Sequence, residues 1–212
     1  MMTDFDSIFN VDYWDQRYSE AKPVWSGDPN PVLVEEVAPL APGTALEVGC
    51  GEGADAIWLA GHGWQVTGVD FSAQALARAA ERVPASLAER TRWERADIRD
   101  WQLDDGPRYD LVAASYLHFS GTLRRRVFAT LATRVASGGH LLIVGHHPSD
   151  LDTAMSRPPE PDLFYTADEL AQELPAGDWE VRTRAARPRV ATTPDGTPVT
   201  IHDTVLTARR IR

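Results

Sequence analysis

The stretch Thr44–Ala60, TALEVGCGEGADAIWLA, decides the fold of this 212-residue chain. Leu46 and Val48 supply an apolar strand, three glycines allow a tight turn, and an amphipathic helix follows whose first amides point back at the turn. The next strand-like run, WQVTGVD, ends in Asp70, 21 residues after Gly49. A carboxylate at that position can accept hydrogen bonds from both hydroxyls of a ribose. The two elements therefore predict a site for an adenosine-containing ligand.

Two cofactor classes fit this pattern. GCGEGA satisfies the loose dinucleotide motif G-x-G-x-x-[GA] with Ala54 in the last place, although that motif alone is weak. Glu47 stands before the glycines, and its negative charge suits a ligand with an ammonium and a sulfonium better than a pyrophosphate. Asp97 and Ile98 follow a third strand-like run and are expected to give an adenine ring a polar and an apolar contact. These features favour S-adenosylmethionine over a nicotinamide dinucleotide.

With these motifs the chain resembles the class I S-adenosylmethionine-dependent methyltransferases, and nearly its whole length takes part in the resemblance. The segment YWDQRYSEAKPVWSGDPNPVLVEEV is similar to small bacterial members, some of them related to the thiopurine and tellurite methyltransferases. Its turn WSGDPN departs from the W-[DS]-x-G-x-P form of many relatives, because Gly27 and Pro29 stand one position closer to Trp25. The resemblance implies a Rossmann-like, doubly wound α/β fold. Its mostly parallel seven-stranded sheet would carry a C-terminal antiparallel hairpin, helices on both faces and an N-terminal helical cap.

The resemblance also implies a set of cofactor contacts. Gly49 and Gly51 would pass beneath the methionine part, and Phe71 would flank the adenine. Trp25 would cover the top of the ligand. Cys50, the only cysteine, would pack beneath the cofactor rather than act as a nucleophile. The full predicted cofactor site comprises Trp25, Glu47, Gly49, Cys50, Gly51, Gly53, Asp70, Phe71, Ser72, Asp97, Ile98 and Ser115, and no metal is expected. For Phe71 and Ile98, plain core packing is an equal alternative.

Composition narrows the kind of partner. A formal net charge of -10 and a sequence pI near 5.0 argue against binding to nucleic acid or to an anionic membrane. The single cysteine rules out an intrachain disulfide, which suits a reduced cytoplasmic setting. No apolar run approaches the roughly 20 residues of a membrane helix. We therefore expect a soluble cytoplasmic protein with a small-molecule methyl acceptor; the sequence leaves the oligomeric state open.

Chain length suits one domain over residues 1–212. We divide it into a cap and approach helix at 1–40, a cofactor-binding core at 41–147, and a substrate loop, helix and terminal hairpin at 148–212. Predicted strands lie near 45–48, 65–70, 91–96, 109–115 and 140–145, with the hairpin at 178–190 and 197–210. Predicted helices lie near 11–19, 32–37, 54–62, 73–83, 121–135 and 167–173. The cap and the loop 148–166 would carry substrate specificity.

Methyl transfer from a sulfonium depends mainly on positioning, so a general base is optional. Three histidines follow predicted strands at the ligand-facing edge and are candidates for that role, namely His118, His146 and His147. Hydrogen bonding to backbone or solvent without a catalytic role is the alternative for each of them. The expected function is methyl transfer to an oxygen, nitrogen or sulfur atom of a small molecule. The alternatives are an NAD(P)-dependent oxidoreductase, which the missing Y-x-x-x-K pair disfavours, and a non-catalytic adenosine-ligand-binding protein.

Overall fold

The computed structural model describes residues 10–20, 24–103, 106–158 and 160–212, and a seven-stranded sheet forms its centre. The strands are β1 (Thr44–Val48), β2 (Gln65–Asp70), β3 (Thr91–Arg95), β4 (Tyr109–Ser115), β5 (Val135–His146), β6 (Trp179–Thr192) and β7 (Pro198–Arg210). Their order in the sheet is β3-β2-β1-β4-β5-β7-β6. The neighbours among β1 to β5 pair in parallel, and β7 is antiparallel to both β5 and β6. The predicted Rossmann-like sheet with a terminal antiparallel hairpin is confirmed.

Four of the six helices in the described ranges begin at a capping side chain. The six helices are α1 (Val11–Ser19), α2 (Pro31–Val37), α3 (Ala54–Gly61), α4 (Ala73–Arg82), α5 (Gly121–Thr133) and α6 (Ala167–Glu173). Asn30 caps α2 directly before a proline, Ser72 caps α4, and Thr166 forms a capping box with Glu169 at the start of α6. The predicted bounds of α1 and α6 agree with the structure, and the other helices differ from prediction by one or two residues.

The central strands of the sheet are buried on both faces because they alternate their side chains between two cores. On β4, Val112 and Ala114 pack on the side of α5, whereas Leu111 and Ala113 pack on the side of α2 and α3. This explains why the central strands read as continuous apolar runs. Within the ranges that the structure describes, no helix has the length and apolar character needed to cross a bilayer.

Strand β5 is longer than the sequence predicts, starting at Val135 instead of near residue 140. Val135 pairs with Tyr109 on β4, and Gly138 and Gly139 continue the strand where a glycine pair is usually read as a break. A Cβ on Gly139 would lie 2.9 Å from the carbonyl oxygen of Asp110, so only glycine allows the strands to approach here. Four short 3₁₀ helices, at 85–90, 98–100, 148–152 and 161–163, were not predicted because runs of six residues or fewer carry no periodicity.

Candidate active site

The glycine turn between β1 and α3 lies at the carboxyl edge of the sheet, where the strand order reverses between β1 and β4. Gly49, Gly51 and Gly53 have φ angles of +72°, +52° and +78°, in the left-handed region that favours glycine. Asp70, at the end of β2, closes the turn. One of its carboxylate oxygens accepts from the Gly51 N–H at 2.9 Å and the other from the Ser72 N–H at 2.9 Å. Each oxygen keeps a further lone pair, so Asp70 can shape the turn and still accept from a ligand.

Buried carboxylates surround this turn. Glu47 is 4% exposed, and its Oε2 has no hydrogen-bonding partner among the described residues. Burial, followed by the charge of Asp55, raises the pKa of Glu47 well above its usual range. Burial also raises the pKa of Asp70, against the hydrogen bonds from Ser72 and Gly51. An unpaired buried carboxylate oxygen fits a cationic ligand such as a sulfonium or ammonium and disfavours a pyrophosphate.

Two further acids of the motif hold neighbouring segments, and sequence reasoning did not single them out. Glu52 accepts from the backbone N–H groups of Val24 and Trp25, each at 3.2 Å, and forms an ion pair with Arg78 at 2.7 Å. Asp55 accepts from the Asn30 N–H at 2.6 Å and from the Ser115 hydroxyl at 3.3 Å. The predicted site residue Ser115 therefore lies beside the glycine turn. The acidic side chains of the helix start fix the segment that leads into α2.

The cap helix α1 lies over the turn. The Tyr18 hydroxyl is 3.0 Å from where a Cβ on Gly51 would stand, and it accepts from the Trp25 indole N–H at 3.0 Å. Trp14 stacks on Tyr18 with ring centroids 5.8 Å apart. Asp15 accepts from the Ser72 hydroxyl at 2.5 Å, which ties α1 to the start of α4. Trp25 thus lies next to Gly51, and half of its surface is exposed.

The part of the site that was predicted to bind the adenine ring also contains Arg99, which the sequence analysis did not identify. Arg99 forms an ion pair with Asp97 at 2.5 Å, and its guanidinium lies 5.8 Å from the centre of the Phe71 ring. Burial by itself would raise the pKa of Asp97, but the hydrogen bonds and charge of Arg99 outweigh it and lower that pKa. Ile98 is 7% exposed and belongs to the core on the α5 side. No sequence motif indicates the contact of Arg99 with Phe71.

Cys50 and Ser72, two further residues of the predicted cofactor site, are both buried. Cys50 is buried, and its Sγ lies 3.1 Å from where a Cβ on Gly68 would stand. Burial, and then the charge of Glu47, raises the pKa of the Cys50 thiol, which opposes thiolate formation. Ser72 is fully buried between Asp15 and the first turn of α4. These positions are compatible with the predicted packing role of Cys50.

The structure brings two of the three candidate histidines together and separates the third. The rings of His118 and His146 stack with centroids 4.9 Å apart and 15° between their planes. The His118 Nδ1 lies 2.8 Å from the carbonyl oxygen of Leu163. His147 instead caps the short helix after β5, where its Nδ1 accepts from the Ser149 N–H at 3.2 Å. His118 and His146 therefore form one stacked pair, whereas His147 stabilises a turn.

The stacked histidine pair lies in a strained and largely buried region. Burial, followed by the neighbouring His118, lowers the pKa of His146 to about 2, and burial also lowers the pKa of His118. Tyr116 has a φ of +56°, which is rare for a residue with a bulky side chain, and its ring centre is 4.8 Å from that of His146. Both imidazoles are thus neutral at physiological pH. Among the described residues, no group of three or more His, Cys, Asp or Glu side chains is arranged to hold a metal ion.

Comparisons with known proteins agree with this geometry. Residues 45–139 match a family model described as a methyltransferase domain. The ubiquinone biosynthesis O-methyltransferase of Alkalilimnicola ehrlichii is 28% identical over 176 residues, 79% of this chain and 66% of that protein. Matched stretches cover between 12% and 66% of the length of the curated relatives.

Solved structures share the fold. One comes from work on the conversion of a disulfide bond into a thioacetal group during echinomycin biosynthesis. It has a TM-score of 0.73 and 26% identity, and the match covers 96% of this chain and 91% of that one. The N-methyltransferase NodS of Bradyrhizobium japonicum, solved with S-adenosyl-L-homocysteine, has a TM-score of 0.71 and 18% identity, covering 95% and 98%.

Fold and glycine turn together define a doubly wound α/β protein that binds an adenosine-containing ligand at the edge of its sheet. Over residues 45–139 the chain matches a methyltransferase domain, and its fold is that of the class I S-adenosylmethionine-dependent methyltransferases, whose cofactor is S-adenosylmethionine. The predicted family and cofactor are confirmed.

Proposed function

We propose that this chain transfers a methyl group from S-adenosylmethionine to an oxygen, nitrogen or sulfur atom of a small molecule. The observation that carries the proposal is the buried acidic turn, in which Glu47 keeps an unpartnered carboxylate oxygen beside Gly49 and Gly51. A nicotinamide dinucleotide would bring its pyrophosphate to the same carboxylates and be repelled. The O- and N-methyltransferase names of the matched relatives point in the same direction.

Bound S-adenosylmethionine supplies an electrophilic methyl group on a sulfonium. We assign the ribose hydroxyls to Asp70 and the cationic groups to the environment of Glu47. Phe71 and the Arg99–Asp97 pair border the adenine. Tyr18 and Trp25 cover the site from above and exclude water, which keeps the charge of the carboxylates effective. The chain's contribution to the reaction is thus binding, orientation and exclusion of solvent.

A transfer assay tests the proposal. The purified chain is incubated with methyl-labelled S-adenosylmethionine and a panel of phenols, amines and thiols, and label transfer and S-adenosylhomocysteine are measured. We expect the two products in equal amounts with at least one member of the panel. Cofactor binding without transfer to any member would favour the non-catalytic binding protein, and binding of NADH would favour the oxidoreductase.

The raised carboxylate pKa values predict that cofactor affinity depends on pH. The ligand binds the ionised forms of both carboxylates, with its cationic groups near Glu47 and its ribose hydroxyls donating to Asp70, so each raised pKa means that protons must leave before or during binding. Affinity for S-adenosylmethionine should therefore fall as the pH drops from 8 to 5.5, by up to about tenfold per pH unit for each carboxylate that has to ionise. Titration calorimetry in buffers of different ionisation enthalpy measures both the affinity and the protons released.

Glu47→Gln is the matched variant for this test, because it removes the charge and keeps the size of the side chain. We expect it to flatten the pH dependence and to weaken binding at pH 8. Equal affinity of the unmodified chain at pH 5.5 and pH 8 would contradict the role of the buried carboxylates.

We also propose that residues 1–212 form one domain. Contacts between α1 and α4 and between α2 and β6 support this, among them the Asp15–Ser72 hydrogen bond and the ion pair of Arg187 with Glu35 at 2.8 Å. A cytoplasmic location remains the expectation from the cysteine content and charge.

A further inference from the structure

Three buried polar atoms at the carboxyl ends of β4 and β5 have no hydrogen-bonding partner among the described residues. They are the His118 Nε2, the His146 Nδ1 and the Asp203 Oδ1. Leaving a buried polar atom unpaired is energetically costly, so native proteins rarely leave several together. Such a cluster therefore indicates groups that are reserved for a ligand.

The three atoms belong to one contiguous surface. The rings of His118 and His146 are stacked at 4.9 Å. His146 on β5 is the register partner of Asp203 on β7, so the two side chains project from the same face of the sheet. Tyr116 contacts both sides of this surface, with its ring beside His146 and its phenol beside Asp203 and Arg189. We call these four residues, Tyr116, His118, His146 and Asp203, the acceptor cluster.

The hydrogen bond of His118 determines which of its nitrogens carries the proton. A carbonyl oxygen can only accept, so the His118 Nδ1 that lies 2.8 Å from the Leu163 oxygen must be the donor. Because burial keeps the ring neutral, its Nε2 has no hydrogen and presents a lone pair. The Asp203 Oδ1 is also an acceptor, because the carboxylate is ion-paired with Arg189, whose Nε donates to the other oxygen at 2.7 Å. Two of the three unpartnered atoms therefore require donors from the ligand.

The cations near the cluster are already paired. Arg157 binds the fully buried Asp150 at 2.8 Å, and Arg189 binds Asp203 at 2.7 Å. Asp150 also accepts from the His202 N–H at 2.8 Å, which holds the loop after β5 against β7. A ligand group with a negative charge would therefore meet neutral imidazoles and a carboxylate, while the nearby guanidinium charges are already balanced by Asp150 and Asp203. These contacts disfavour carboxylate and phosphate acceptors.

From this arrangement, and resting on the proposed function, we infer that the methyl acceptor is a hydroxyl or amine compound whose O–H or N–H donates to the His118 Nε2, with Asp203 taking a second donor. A thiol is disfavoured because S–H is a weak donor. For a hydroxyl acceptor, an oxygen lone pair forms the bond to the methyl carbon while the methyl–sulfur bond breaks and its electron pair stays on sulfur. The hydroxyl proton moves to the His118 Nε2 and then to solvent. An amine follows the same course with nitrogen as the attacking atom.

Ring-nitrogen NMR of the whole chain tests the inference without requiring turnover. In ¹⁵N-histidine-labelled protein at pH 7, His118 should show a protonated Nδ1 and an unprotonated Nε2. Three probes share one aromatic scaffold, which suits the aromatic surroundings of the cluster, namely benzyl alcohol, benzylamine and benzyl mercaptan. Titrated in the presence of S-adenosylhomocysteine, the alcohol or the amine should move the His118 Nε2 resonance, and the mercaptan should leave it in place.

Two asparagine variants test the role of the His118 Nε2: one replaces His118, and the other replaces His147 as a control. His118→Asn keeps an N–H donor for Leu163 and removes the Nε2, so it should weaken probe binding at least about tenfold and leave cofactor binding unchanged. His147→Asn keeps an acceptor for the Ser149 N–H and should change neither. Protonation of His118 at Nε2, an Nε2 resonance that no donor probe moves, or an equal response to the mercaptan would overturn the inference. Failure of the chain to bind S-adenosylmethionine would instead refute the proposed function.

Discussion

Replacing Asp70 with alanine should weaken binding of S-adenosylmethionine by about 100-fold or more. The side chain would lose two hydrogen bonds to ribose hydroxyls, and each bond to a charged group contributes about 1.5–3 kcal/mol, where 1.4 kcal/mol is tenfold. The same substitution leaves the N–H groups of Gly51 and Ser72 without their acceptor, so the free energy of unfolding should also fall, by about 2–4 kcal/mol. Calorimetry and chemical unfolding measure the two effects separately.

Asp110→Ala is the matched control. Asp110 also accepts two hydrogen bonds next to β1, from the Thr44 N–H and hydroxyl at 2.8 Å each, but it lies at the opposite edge of the sheet. This variant should lose stability and keep its affinity for the cofactor. Asp70→Asn, which keeps the side-chain volume, checks that the affinity loss is not caused by unfolding. Equal cofactor affinity of Asp70→Ala and the unmodified chain would contradict the assignment of Asp70.

Replacing Gly53 with alanine should lower the free energy of unfolding by about 2–5 kcal/mol. A Cβ at this position would stand 2.7 Å from the Trp93 ring and 2.9 Å from the Ala79 Cβ, and φ is +78°. The left-handed backbone costs a residue with a Cβ about 1–2 kcal/mol, and overpacking adds about 1–3 kcal/mol. Because Gly53 leads directly into α3, the misplaced turn should weaken cofactor binding as well.

Gly177→Ala isolates the backbone contribution. Gly177 has a φ of +84°, and a Cβ there would meet no atom within 4 Å. Its loss should therefore be limited to about 1–2 kcal/mol and leave cofactor affinity unchanged. If denaturant unfolding gave the same loss for both variants, close contact with Trp93 would not be the reason for glycine at position 53.

Local patterns were sufficient to predict most of the fold. Apolar runs gave the approximate positions of the parallel strands, and capping residues such as Asn30 and Ser72 marked the starts of helices. The glycine turn and Asp70 could be predicted because one short segment carries the whole motif. Strand β5 was predicted too short because Gly138 and Gly139 resemble a break until their close approach to β4 is known.

The features of the site that could not be predicted arise from tertiary contacts. The Glu52 carboxylate accepts hydrogen bonds from the backbone N–H groups of residues 24 and 25, which lie 28 and 27 positions away along the chain. The stacking of His118 on His146 depends on the pairing of β4 with β5 and on the loop that brings Leu163 to the first ring. Neither contact has a periodic or motif signature in the sequence. Residue types alone could nominate His118, His146 and His147, with His118 as the first choice, whereas geometry separates the last from the other two.

The most direct test of the central claim is titration calorimetry of the unmodified chain with S-adenosylmethionine, S-adenosylhomocysteine and NADH. The acidic glycine turn predicts saturable one-to-one binding of the first two ligands and no measurable heat of binding with NADH. Binding of NADH without binding of S-adenosylmethionine would contradict the account of the site.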